Sequence, residues 1–308
     1  MLATLAAAAP LTTYTVSLAV FGLPHVMAEL GWVRHRFAGR FAPAALGVIG
    51  GALLGVVAGR IGRNLDLGTA TGWTQVELGL VAVLTLAAVG ARTRAPARVG
   101  MAAALTAALV GAGIALSPRT TILFLAMVHT WTPVGLLAEG LEGRARRVAL
   151  VVCGIVFGVV PAVLASGLPA QVLTGVGLYA PDVGPLTTGG LAKQYGAYLP
   201  AAWQDASWAP HLFAALAYAQ CMHYVAVLGV LPRLATAQGA PPAYGAPRWA
   251  LVGAGVLCAG LLAHYVRDFG EARAWYGVAA AVHGWLEYPV LVAAVGGRAI
   301  VVEQRAAG

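Results

Sequence analysis

Nine apolar stretches, each close to the length of a bilayer crossing, divide this 308-residue chain: roughly 11–32, 42–59, 74–91, 99–116, 119–138, 147–167, 209–231, 249–266 and 274–297. About 20 mostly apolar residues in helical form cross the hydrocarbon of a membrane. A helix satisfies its own backbone hydrogen bonds there, which few other shapes do. The pattern predicts an all-α fold, a polytopic transmembrane helical bundle of about nine spans. The count falls to eight if two Ala-rich stretches merge or one is re-entrant. No repeat and no second domain interrupts it, so residues 1–308 form a single transmembrane domain.

Composition supports this reading. Hydrophobic residues make up 60% of the chain and charged ones 10%, where a soluble domain carries roughly 25% charged residues. Too few charges remain to cover a water-exposed surface, which excludes soluble globular and disordered classes. The net charge of +8 does not indicate nucleic acid, because the arginines fall in short groups between apolar stretches. Glycines at 47, 50, 51, 55 and 59 have the small-residue spacing of a packed helix interface. Ser117-Pro118 separates the fourth and fifth spans by a tight hairpin. The three cysteines form no CxxC pattern, so neither a disulfide framework nor a zinc knuckle is expected. The first span has no basic segment before it and is expected to be mature structure rather than a cleaved signal.

The basic residues also suggest an orientation. The connections after odd-numbered spans, with the C-terminal tail, hold Arg34, Arg36, Arg40, Arg92, Arg94, Arg98, Arg144, Arg146, Arg147, Arg233, Arg248, Arg298 and Arg305. The others hold only Arg60, Arg63, Arg119, Lys193, Arg267 and Arg273. The positive-inside rule then puts the N-terminus outside and the C-terminus in the cytoplasm, in a prokaryotic cytoplasmic membrane. The one long connection, 168–208, is rich in Pro, Gly and aromatics, including Tyr179, Tyr195, Tyr198, Trp203 and Trp208. It is expected to be an interfacial loop, with a lid over a cavity as its functional alternative.

Ionisable groups inside membrane helices are costly and mark function. His25, His129, His223 and His283 lie in spans one, five, seven and nine, all running the same way. Counted from the basic ends, the first three stand about 10–14 Å up at 1.5 Å per residue. A kink at Pro289 would bring His283 level. One layer in the cytoplasmic half of the bilayer is expected. Glu29 and Glu287 follow His25 and His283 by four residues, and Glu139 ends the fifth span. Carboxylates so placed are candidates to orient ligating imidazoles from behind. His211 and His264 sit at span edges, and His35 lies in a basic loop. Trp131 and Trp285, each two residues after a histidine, and Tyr224, beside His223, are candidate pocket residues.

Four neutral imidazoles suit iron, copper or zinc. Open positions on Fe(II) suit dioxygen chemistry on a lipophilic molecule entering from the membrane lipid. Two histidines could instead clamp a haem, making the chain an electron carrier or assembly factor. A transporter or ion-binding protein would use Glu29, Glu139 and Glu287 as a relay.

The segment Gly22-Leu23-Pro24-His25, with Glu29, resembles the first-span GLPHG…D motif of the Brp/Blh family of membrane β-carotene 15,15′-dioxygenases. Met127-Val128-His129-Thr130-Trp131 is similar to that family's second histidine segment, Gln220-Cys221-Met222-His223-Tyr224 to its third, and Ala281-Val282-His283-Gly284-Trp285-Leu286-Glu287 to its last. The order along the chain agrees. Val26 stands where the family has Gly, Glu replaces Asp twice, Thr-Trp replaces Phe-Gly, and the third helix has one histidine rather than two. The resemblance implies that His25, His129, His223 and His283 hold a non-haem Fe(II). It implies that Glu29 and Glu287 orient His25 and His283, and that O₂ cleaves the central double bond of a carotenoid to give retinal.

Overall fold

The computed structural model describes residues 1–186, 189–241 and 246–296. Thr187 and Thr188 of the long connection, and Arg298 and Arg305, lie outside the described residues. Among the described residues the chain is helical, without strands. A short helix, α1 (Leu2–Ala8), precedes α2 (Pro10–Phe37), α3 (Pro43–Asn64), α4 (Ala70–Ala87), α5 (Pro96–Leu116), α6 (Pro118–His129) and α7 (Thr132–Gly140). Then come α8 (Gly143–Gly154), α9 (Val160–Ala165), α10 (Leu168–Gly175), α11 (Ala209–Val225), α12 (Leu231–Ala237), α13 (Arg248–Arg267) and α14 (Phe269–Val295). π-Helical turns at Ile155–Val159 and Ala226–Val230 join α8 to α9 and α11 to α12. Proline opens α2, α3, α5 and α6, where its missing N–H would have had no intrahelical partner.

Eight helical segments are long and apolar enough to cross a membrane. A ninth is formed if α6 and α7, bent by 41°, are one broken span. That is the fifth apolar stretch of the sequence. Its break has a local cause. Pro133 lacks the N–H that would reach the His129 carbonyl, and its ring crowds that carbonyl. Thr132 Oγ1 donates to it instead, at 2.7 Å.

Beyond the apolar core, many apolar side chains also point out, while several polar ones are buried. Met101, Leu105 and Leu109 of α5, spaced four apart on one face, are 70%, 60% and 64% exposed. Val252 and Val256 of α13 stand out in the same way. Faces like these suit lipid tails and would be a liability in water. The buried set includes Thr15, Ser17, His25, Glu29, Thr74, Glu77, His223, His283 and Glu287. The most buried spans are α2, α14 and the one begun by α11, while α13 is peripheral.

Close approach uses small residues, as the spacing in α3 predicts. Gly55 lies against Leu80, and Gly59 and Gly62 lie against the Trp73 ring. Gly47, Gly50 and Gly51 meet nothing and take no part. The α5–α6 hairpin is tighter still. A Cβ at Gly113 would lie 2.4 Å from Thr121 Oγ1, and that hydroxyl is held by the Ser117 carbonyl at 2.9 Å. Gly113→Ala is therefore expected to cost about 1–3 kcal/mol through overpacking. The check is the thermal midpoint of the solubilised protein, and an unchanged midpoint would contradict the packing described.

The long connection is built rather than loose. After α10, a 3₁₀ stretch at Leu191–Ala197 buries Leu191 and Tyr195, and Tyr198 and Leu199 follow them inward. Tyr198 hydroxyl donates to Gln220 Oε1 of α11, and Gln220 Nε2 donates to Ser17 Oγ of α2 at 3.2 Å. Burial holds the Tyr198 phenol well above its ordinary pKa, so it stays a donor. This segment closes one end of the bundle as a wall.

Candidate metal centre

Four spans each bring one histidine to the same depth. His129 ends α6 at the proline break, at the midpoint of the Pro118–Gly140 pair. His25 and His223 stand at the midpoints of Pro10–Arg40 and Ala209–Ala237, and His283 stands one residue from that of Phe269–Val295. The shared layer is thus in the middle of the bundle. The helices continue past the apolar stretches toward their basic ends. Arg34, His35 and Arg36 form the last turn of α2. Helix α14 runs without a break from Phe269 to Val295, with Pro289 inside it.

One ligand atom from each of His25, His129, His223 and His283 lies within 4.8 Å of all the others. The Nε2 atoms of His25 and His283 are 3.0 Å apart. The other ring nitrogen of each is held by its own helix: His25 Nδ1 is 3.1 Å from the Phe21 carbonyl, and His283 Nδ1 is 3.5 Å from that of Ala279. With the proton on the nitrogen that faces the carbonyl, both Nε2 atoms present lone pairs. His129 Nδ1 lies 2.5 Å from Glu287 Oε2, which fixes its tautomer in the same way. The His129 ring packs against α14 at Gly284, one turn before Glu287.

The carboxylates reach across helices, not back to the histidine four residues earlier. Glu287 serves His129 rather than His283. Glu29 Oε2 lies 3.5 Å from His223 Nε2 and 3.9 Å from His283 Nε2. It therefore faces the ligating nitrogens instead of orienting His25 from behind. The reason is local: the i−4 carbonyls already occupy the Nδ1 atoms of His25 and His283. Glu139 is elsewhere, paired with Arg36 at 3.1 Å and Arg40 at 2.7 Å.

These residues fit a bound cation. Both oxygens of Glu29 and both ring nitrogens of His223 are buried without a hydrogen-bond partner, a costly state for a carboxylate. Lone pairs of two imidazoles facing each other at 3.0 Å repel unless a positive charge lies beside them. Adjacent nitrogen ligands bonded at about 2.1 Å and at right angles stand roughly 3.0 Å apart. A haem does not fit the same set. Its two axial imidazoles must sit on opposite faces of a macrocycle, whereas the rings of His25, His223 and His283 touch edge to face at 5.3 and 4.7 Å between centroids.

A cavity of about 640 Å³ adjoins the histidines and runs toward the end of the bundle closed by Tyr198. Tyr224 and Trp285 line it as expected, with the Tyr224 ring 4.3 Å from that of His25. Trp131 does not line it. Placed inside the break after His129, it points outward, is 47% exposed and borders a separate groove with Phe157. One acid escaped the sequence reading: Glu77, within the third apolar stretch. It is buried in α4, where it accepts from Arg60 Nε at 2.9 Å and from Trp285 Nε1 at 2.6 Å. The rule that marked Glu29 and Glu287, an acid inside a span, applies to it equally. No protein-family model, no curated protein and no solved structure matches the chain.

Proposed function

We propose that the chain is a membrane-embedded non-haem iron oxygenase in which His25, His129, His223 and His283 hold Fe(II). Its substrate is a lipophilic conjugated polyene. The observation that carries this reading is the convergence of four imidazoles and the unpartnered Glu29 carboxylate on one point beside a cavity. Ferrous iron held there would supply the activation of O₂. Cleavage of a carbon–carbon double bond by one O₂ gives two carbonyl groups, one oxygen atom in each, and needs no external reductant. β-Carotene to retinal is the case that the Brp/Blh resemblance implies.

The chain's own residues do the rest. Glu287 holds the His129 ring by its Nδ1 proton, and the Phe21 and Ala279 carbonyls hold those of His25 and His283. Glu29 balances the cation's charge in a site without water-exposed counter-ions. Tyr224 and Trp285 give the reacting segment of the polyene flat apolar surfaces. The relay that a transporter would need is weakened by the engagement of Glu139 with Arg36 and Arg40.

The test is iron-replete protein in lipid nanodiscs, supplied with ¹⁸O₂ and either β-carotene or a polyene carboxylic acid of similar conjugation. Loss of the visible absorbance, with one ¹⁸O in each carbonyl product, is the expected result. Failure to consume either polyene with iron in place would overturn the oxygenase reading.

A further inference from the structure

The far end of the cavity is basic. Arg60, Arg63 and Arg273 line it, together with Asn64, and no Asp or Glu does. Arg60 is balanced by Glu77. Arg273 Nη1 has only neutral partners, Tyr14 hydroxyl at 3.3 Å and Gln194 Oε1 at 3.2 Å. Arg63 has no carboxylate within 4.0 Å among the described residues. The nearby acids are occupied: Asp268 Oδ1 caps α14 by accepting from Glu271 N–H, and Glu271 lies against His264. Two half-buried guanidinium groups thus face the cavity without a counter-charge.

Between this end and the histidines the wall is mostly apolar, with Leu18, Ile122, Leu123 and Ala280, and the polar groups among it, Tyr276, Tyr198 and Gln220, are uncharged. Its length follows from α14. Arg273 precedes His283 by ten residues, or about 15 Å along the helix axis. Between them, the Arg60 guanidinium lies beside Gly277 of α14. A wholly apolar hydrocarbon would fill the waist and leave the Arg63 and Arg273 charges without a counter-charge. A carboxylate or phosphate matches the guanidinium fork and restores charge-assisted hydrogen bonds.

We infer that the cavity takes a single-chain amphiphile with an anionic head group, the head held by Arg63 and Arg273 and the chain lying toward the histidine layer. This rests on the proposed function for the statement that the reacting bond lies about 15 Å from the head. The binding mode itself depends only on the cavity. It makes an acidic polyene, rather than a symmetrical hydrocarbon, the preferred substrate class.

The experiment uses the full chain in nanodiscs of uncharged-net phosphatidylcholine, with and without added iron. The probe is cis-parinaric acid, a fluorescent tetraene fatty acid, read by energy transfer from tryptophan, with its methyl ester as the control. Saturable binding of one acid per chain is expected. The ester, and the Arg63→Gln/Arg273→Gln variant with the acid, are expected to bind about tenfold more weakly or worse. Arg63→Lys/Arg273→Lys is expected to restore most of the affinity, which separates charge from folding. Displacement by palmitate or hexadecyl phosphate supports the inference. Equal binding of acid and ester, unmoved by either variant, overturns it. Displacement only by phosphatidylglycerol built into the disc also overturns it, by making the site one for bilayer lipid. Iron content is measured on the same samples, so a failure of the metal reading is seen separately from a failure of head-group binding.

Discussion

Purified protein is expected to hold about one iron per chain, and His223→Ala is expected to reduce it below about a tenth of an equivalent. His223 is the sharpest of the four positions. Its ring is 2% exposed, yet neither nitrogen has a hydrogen-bond partner. A histidine kept for packing or for an interhelical bond would use at least one of them, because a buried unsatisfied polar atom costs about 1–3 kcal/mol. The alanine variant therefore removes a ligand without breaking a hydrogen bond. His25→Ala, His129→Ala and His283→Ala are expected to act in the same direction, but each also frees a carbonyl or carboxylate that the ring had satisfied. Glu287→Gln keeps all four rings and weakens only the hold on His129. It should lower affinity by about 10- to 100-fold, short of abolishing binding. The measurement is metal analysis of protein purified in detergent, with elution volume on size exclusion as the check of folding. Full iron occupancy in His223→Ala, or less than about a tenth of an equivalent of any transition metal in the wild type, would defeat the metal centre.

The features written locally in the sequence are those the structure carries. Each apolar stretch appears as a helix, because about 20 apolar residues between Pro, Gly and Arg leave few other options. The broken fifth span was visible only as Pro133 inside a run. That it breaks, and that the break places His129, depends on the absent proton donor to the His129 carbonyl. The four histidines were legible as residues too expensive to be incidental. The helix ends are harder to read. Hydropathy ends at the last apolar residue, whereas α2 continues through Arg34, His35 and Arg36, whose side chains reach water while the backbone stays helical.

Partnership was not legible at all. An i,i+4 spacing says that His25 and Glu29 share a face, not which neighbour each meets. That choice was made by backbone carbonyls, which no side-chain pattern reports, and it sent Glu287 to His129 and Glu29 to His223. The basic end of the cavity was hidden for a related reason. By hydropathy Arg60, Arg63 and Arg273 read as loop residues that set orientation. Only the helix ends, at Asn64 and Phe269, place them inside the bundle wall.

Glu29→Gln is expected to shift stability in opposite directions in the metal-free and metal-loaded protein. The Glu29 carboxylate is 1% exposed and neither oxygen accepts a hydrogen bond. Without a cation, a buried carboxylate with no hydrogen-bond donor beside it is unfavourable in a dry interior. The amide has the same shape and no charge. In metal-free protein the substitution should stabilise by on the order of 1–3 kcal/mol, a rise of several degrees in thermal midpoint for a chain of this size. With iron the sign reverses. Ligand binding stabilises the folded state in proportion to the logarithm of the ratio of ligand to dissociation constant, and Glu29 lies 3.5 Å from His223 Nε2, where it would face a cation held by the imidazoles. Loss of its charge should weaken iron binding by at least about tenfold and shrink the midpoint increment that iron gives the wild type. Thermal unfolding of both proteins, each stripped and then reloaded, measures the two effects in one experiment. A carboxylate that serves only packing would change both forms equally. A midpoint lowered by the same amount with and without iron would therefore remove Glu29 from the metal centre.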